Sequence, residues 1–448
     1  MAKLDALDFG ALRPRLAQLA RDLYGGLAPP DVAIVRQRLD TPRLDDIEGS
    51  TAEAVRRVVG GSERRGPIAV GVGSRGIANL ERIVRTVIAE LKAAGFEPFI
   101  VPAMGSHGGA VAEGQREILA DYGISEERVG APVRASMETV VLGEVDGVPV
   151  HWDRIAAETG LAFLVTRVKP HTDFDGPIES GLSKMAVIGL GKQRGAQMIH
   201  SAGVRGLRDV MPAAARLIER KGLLLGGLGI VENARDETAE IHGLRGPDVA
   251  GDYEAEVLSR ARDLMPRIPF ESLHVLVVDA MGKDISGAGM DTNVLGRWRI
   301  PGVPEDAKPQ IACIVTLDLT AGSHGNAAGL GNADVIPIRL AEKVDIGAFY
   351  TNSLTAGIVG LERAKLPAVL ATDRDCVLAA AAVSGRTAAE PLRLAWIQDT
   401  LHTEALAVSA DLLDEVRSRP DLEVVSEPRP MPFDAEGRLR PFPEFAGD

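Results

Sequence analysis

An unbroken apolar run at residues 67–71, PIAVG, is followed by a stretch in which apolar residues are spaced out. In GVGSRGIANLERIVRTVIAELKAAG, Ile77, Leu80, Ile83 and Val84 recur at helical spacing, as do Val87, Ile88 and Leu91, and Gly95 ends the run. The pattern predicts a short buried strand, a glycine turn and an amphipathic helix. EPFIVPA repeats the strand, GSHGG follows at once, and VAEGQREILADYG is a second helix closed by glycine. VRASMETVVLGEVDGVPVHW reads as strands about an Asp146–Gly147 turn. LAFLVTRVKP is a further strand, VRGLRDVMPAAARLIERKG a long helix, and LLLGGLGIVEN a strand or a pair of strands.

Strand, glycine turn and helix in alternation point to the α/β class with mostly parallel sheets. A second α/β unit begins at ESLHVLVVDAMGKD, with strands at IACIVTLDL and ADVIPIRL and helices over 339–366. The expected organisation is two α/β domains with the active site in the cleft between them. The first is a catalytic domain over 1–269 and the second spans 270–398. Residues 399–448 hold the helix ADLLDEVRSRP and a proline-rich tail, expected on the surface and able to pack back on the first domain.

Composition narrows the class. The chain has 448 residues, 45% hydrophobic and 25% charged, with a formal net charge of −13. That balance suits a globular, soluble protein and speaks against nucleic acid as a partner. Cys313 and Cys376 lie far apart, which disfavours a disulfide framework or a structural zinc site. No apolar run has membrane-span length, and the first residues, MAKLDALDFGALRPRL, do not read as a signal peptide. A cytoplasmic location is the expectation.

In open α/β sheets, ligands bind at the carboxyl ends of strands. Four predicted strand ends deliver a cation or an imidazole: Arg75 in GVGSRG, His107 in GSHGG, His171 in KPHTDFDG and Lys283 in MGKDISGAG. GVGSRG matches G-x-G-x-x-G, yet no acid stands at the end of the next strand to hold a ribose. Gly73, Ser74 and Arg75 read better as an anion cradle. Glycines flank His107, which leaves it able to face a ligand as a general base. His324, in AGSHGN, has a similar setting. His151, His242, His274 and His402 read as structural or surface residues. Lys184 stands among Met, Ala, Val and Ile, where poor solvation would make its amine a nucleophile. His200 could bind a metal, but one imidazole needs further ligands from elsewhere.

GSRGI, GSHGG and KPHTDF, with Lys184 and His200 sixteen residues apart, resemble the nickel-dependent lactate racemase family over roughly residues 65–300. The resemblance implies a 2-hydroxyacid racemase or epimerase that works by proton-coupled hydride transfer. It implies a nickel-pincer nucleotide, a pyridinium-3-thioamide-5-thiocarboxylate mononucleotide tethered to Lys184 and installed by maturation enzymes. His200 would ligate nickel, His107 and His171 would be the two bases, and Arg75 and Lys283 would neutralise the substrate carboxylate or the cofactor phosphate. One departure is DFDGPIESGLS, whose Asp173, Asp175 and Glu179 disfavour an anionic substrate unless they face away or pair with Lys169 or Arg194. The substrate is therefore not taken to be lactate. An oxidoreductase with a bound pyridine cofactor, a homologue that binds a metal or ligand without turnover, and a pyridoxal phosphate enzyme on Lys184 are the competing readings.

Overall fold

A computed structural model describes residues 9–73, 76–305, 307–387 and 389–446. The chain forms two α/β units, Asp40–Met265 and the described residues of Met1–Leu39 with Pro266–Asp448. The joint falls in the proline-bearing stretch that the sequence marks. The first 39 residues, however, belong with the second unit rather than with a 1–269 domain. Strand Asp31–Gln37 explains this, because it pairs antiparallel with Ala405–Ser409, Leu422–Val424 and Arg429–Pro430.

The 40–265 unit is built on five strands in the order Phe96–Pro102, Gly66–Val72, Ala162–Arg167, Leu224–Glu232, Thr238–Arg245. The first four are parallel and the last is antiparallel. Every residue from Ile68 to Val72 is buried, because both faces of the sheet are covered. Ile68, Val70 and Val72 pack with Ile83, Val84, Val87 and Leu91 of helix Leu80–Ala93. Ala69 faces the opposite core, with Leu164, Trp152, Ile199 and Met211. The hairpin Thr139–Val145 and Val148–Asp153 turns at Asp146 and Gly147, both at positive φ (49° and 80°), as a two-residue hairpin turn requires.

The other unit orders its strands Ala368–Leu370, Val335–Pro337, Gln310–Leu319, Ser272–Met281, Leu394–Ile397, Ala405–Ser409, Asp31–Gln37, Leu422–Val424. The first five are parallel. The proline-rich tail is not a surface appendage. Phe442 and Phe445 are buried against Trp396, with ring centroids 5.4 and 5.2 Å away. Trp396 is wholly buried, and tail aromatics complete its packing in an otherwise aromatic-poor core. Among the described residues, no helix is long and apolar enough to cross a membrane.

Candidate functional site

Within the 40–265 sheet the chain runs from Gly66–Val72 to the neighbour on one side, then crosses to Ala162–Arg167 on the other. That reversal is the topological switch point where such sheets bind ligands. Gly73 ends one of the two flanking strands and the loop Lys169–Gly176 ends the other. Ser74 and Arg75 lie outside the described residues.

Lys184 ends the short helix Leu182–Lys184, which runs on through a π-helical turn, Met185–Gly189, into helix Lys192–Ser201 with His200 in its last turn. Inserted π turns often mark working sites. Three neighbours fix this one. A Cβ on Gly73 would come within 2.8 Å of the Met185 methyl, so Gly73 abuts it. The Gly105 N–H donates to the Gly189 carbonyl at 3.1 Å, which seats the GSHGG loop on it. Trp152 Nε1 donates to the Ala186 carbonyl at 3.0 Å.

The start of the His200 helix is held by Lys192, a non-glycine residue at φ 54° and wholly buried. Its ammonium meets Asp153 at 2.9 Å and the Pro102 carbonyl at 2.5 Å. Burial lowers its pKa, and Asp153 opposes the shift.

Two imidazoles are oriented by backbone partners. His200 Nδ1 lies 2.6 Å from the Ala196 carbonyl, which can only accept, so the proton sits on Nδ1 and Nε2 keeps its lone pair. This is the arrangement of a metal-binding histidine braced by a carbonyl. His171 is the reverse. The Asp173 N–H donates to its Nδ1 at 3.0 Å, so the neutral ring carries its proton on Nε2. As placed, His171 offers an N–H, whereas a base at Nε2 would need the other tautomer.

Burial depresses the pKa of both rings. For His171, which is 7% exposed, the positive charge of Lys184 adds to the effect, Asp173 opposes it, and His200 and Lys169 add further. For His200 the Ala196 carbonyl works against burial, while Lys184 lowers the pKa and Asp173 raises it. His171, Lys184 and His200 are thus within electrostatic reach of one another, with Asp173 beside both rings. Both imidazoles are neutral at neutral pH.

Two of the acids of DFDGPIESG, Asp175 and Glu179, pair with Arg262, which the sequence does not single out. Its Nη2 donates to Glu179, to Asp175 at 3.0 Å and to the Gly176 carbonyl at 2.9 Å. Glu179 is buried and accepts from the N–H groups of His171 (2.5 Å) and Gly176 (3.0 Å). Burial pushes its carboxyl up to about 7. Asp173 alone of the three acids remains beside the rings.

His107 is half-buried; its N–H donates to the Met104 carbonyl at 3.2 Å and its own carbonyl accepts from Gln115 at 3.2 Å. Lys283 and His324 belong to the other unit. There Lys283 Nζ donates to its own loop at the Gly287 carbonyl (2.5 Å), and His324 is exposed in a left-handed turn. Two cavities, of about 410 and 390 Å³, are lined by Pro67, Phe96 and Arg134 and by Gly60, Leu161 and Leu224. They lie at the amino ends of the strands, opposite His171, and bear no part of this chemistry. Among the described residues, no three His, Cys, Asp or Glu side chains gather as a metal site. Sequence reasoning did not single out Glu254, Arg262 or the Lys192–Asp153 pair. Nothing local marks them, since each acts on a segment distant in the chain.

No family model matches the chain and no curated protein is similar to it. A crystal structure of a protein from Thermotoga maritima is similar at a TM-score of 0.45 and 15% identity, over 60% of this chain and 70% of that one. Likeness at that level says nothing of function.

Proposed function

We propose that the 40–265 unit carries the site of a nickel-pincer-dependent racemase or epimerase of 2-hydroxy acids. The observation that supports this reading is one arrangement. Lys184 lies within electrostatic reach of two neutral imidazoles at the switch point of a parallel sheet. One imidazole keeps its Nε2 lone pair and the other carries an Nε2 proton. These residues suit the group that the sequence resemblance implies. A cofactor that brings its own carbon and sulfur donors needs one protein ligand, and His200 Nε2 is suited to be that ligand. Lys184, half-buried beside it, suits a covalent tether. When bound, the group would accept hydride from C2 of the substrate and return it to either face.

The chain's own residues handle the proton and the oxygen. His107 takes the hydroxyl proton as general base. His171, with its proton on Nε2, donates to the same oxygen and steadies it as the carbonyl forms. To act as the second base it must move that proton to Nδ1, which breaks the bond from the Asp173 N–H. Arg262 neutralises Glu179 and Asp175, which lessens the conflict between those two acids and an anionic substrate.

The test is racemisation of a panel of 2-deuterated 2-hydroxy acids by protein produced with a nickel-pincer maturation system. The reading expects interconversion of enantiomers with deuterium retained at C2, and loss of turnover in His107→Ala and His171→Ala. Washout of deuterium into solvent, or turnover only with an added dinucleotide and net formation of keto acid, would overturn it.

A further inference from the structure

Helix Asp252–Asp263 reaches the candidate site from both of its ends. In its first turn, Glu254 is 2% exposed and accepts from the Ser183 N–H at 2.9 Å, the Ser183 hydroxyl at 2.6 Å and the Ala250 N–H at 2.7 Å. A carboxylate from a distant part of the chain thus caps the turn that carries Lys184. Gly181 makes room for it, since a Cβ there would lie 2.6 Å from Glu254 Oε1. Two turns further on, Arg262 grips Glu179, Asp175 and the Gly176 carbonyl through one nitrogen, Nη2. Glu179 in turn holds the His171 N–H. Between these ends, Val257, Leu258 and Ala261 pack with Val168 and Val231 at the strand ends, so the helix is fixed against the sheet that bears the loop.

We propose that this helix is the positioning element of the site. Arg262, acting through Glu179, sets the ring of His171, and Glu254, acting through Ser183, sets Lys184. The inference rests on the reading of His171 and Lys184 as working groups, and both helix residues are positioning residues rather than catalytic ones. The mechanism is geometric. The tautomer of His171 depends on the Asp173 N–H reaching Nδ1. That contact exists only while Glu179 gathers the N–H groups of His171 and Gly176 into one closed loop. Glu179 is buried, and Arg262 is the cation that meets it. Without that cation, an ionised carboxylate there keeps only its two N–H donors, and the loop must open or the carboxyl take up a proton.

The test uses the full chain without cofactor, labelled with ¹⁵N-histidine, and reads ring tautomers by NMR. The wild type is expected to give His171 as the Nε2–H form alone and His200 as the Nδ1–H form. Arg262→Met should turn His171 into a mixture of tautomers and leave His200 unchanged, which also reports that the fold is kept. Arg262→Lys should restore the single form, because all three bonds come from one nitrogen that an ammonium can replace. Glu254→Gln should leave His171 as it is and change the rate at which Lys184 is acylated by acetic anhydride, mapped by mass. Should Arg262→Met lose the fold, Glu179→Gln carries the test, with the same tautomer mixture expected. A single unchanged His171 form in the folded Met or Gln variant overturns the inference. So does an unchanged Lys184 rate in Glu254→Gln. Neither readout involves nickel or turnover, so failure here is separate from failure of the proposed function.

Discussion

Glu179 in one unit, buried, and Asp279 in the other, half-buried, are both carboxyl groups that desolvation pushes up to about 7, yet they serve different ends. Glu179 accepts two backbone N–H groups of a loop, meets Arg262, and so shapes the turn that holds His171. Asp279 accepts from Trp396 Nε1 at 2.6 Å and from the Phe442 N–H, and so ties the tail to the core. Both units share a plan, a central strand with a parallel neighbour on each side and glycine loops at the strand ends. They differ in how charge is settled there. Around His171, Lys184 and Lys169 both act on a buried neutral ring. In the other unit, Asp318 meets Lys343 at 2.5 Å and Arg339 at 2.7 Å, and Arg339 goes on to Asp373 at 3.0 Å. A shared fold plan supplies places for a site, and a buried neutral imidazole acted on by two lysines is what sets the first place apart.

Removing one partner from an ion pair in each unit separates the two units most strongly. Lys192→Met leaves Asp153 charged and buried, and should destabilise the 40–265 unit by about 3–5 kcal/mol. Urea unfolding gives the magnitude. Hydrogen exchange should localise it to helix Lys192–Ser201, with the other unit unchanged. Arg339→Met should weaken the other unit and leave the His171 and His200 signals where they are.

Next in size is the pH dependence set by Glu179. Its folded-state pKa, about 7, lies above the ordinary 4.5, so the unfolded chain releases this proton first as pH rises. Its contribution to stability is full below the unfolded value and falls through the window up to the folded one, by about 3 kcal/mol. Glu179→Gln should lack that part of the fall when unfolding free energies are compared from acid to neutral pH. An unchanged pH slope in the variant would contradict the assignment. Asp279→Ala strands two buried donors and should cost the other unit about 2 kcal/mol, with faster exchange at Phe442.

The smallest effect discriminates most finely. Lys184→Met removes a positive charge that depresses both rings, so His171 and His200 should each titrate at higher pH in NMR, with no loss of stability. No movement of either ring would mean that the three side chains are not assembled as described. Acylation of Lys184 removes the same charge and should shift both rings in the same direction.

Much of the 40–265 unit was legible because its strands are short apolar runs punctuated by glycine, and helix Leu80–Ala93 carries a clear apolar stripe. The antiparallel strand Asp31–Gln37 and the buried tail were not legible. The strand's main partner lies more than 350 residues away in the chain, the tail packs on Trp396 of a separate strand, and Pro432 and Pro441 look locally like surface punctuation. At the site, His171, Lys184 and His200 stood out by type and setting. The tautomer of His171 did not, since it depends on one backbone N–H two residues on. Nor did Arg262 and Glu254, whose roles exist only once helix Asp252–Asp263 has docked.

Whether Lys184 and His200 hold a nickel-bearing nucleotide, as proposed, is decided by producing the chain with a nickel-pincer maturation system. Intact mass and nickel content are then measured on one sample. The expected result is a cofactor-sized mass increase that maps to Lys184, about one nickel per chain, and loss of the nickel in His200→Ala while the mass increase remains. An unmodified, nickel-free chain, from a system shown to load another protein in the same preparation, would contradict it.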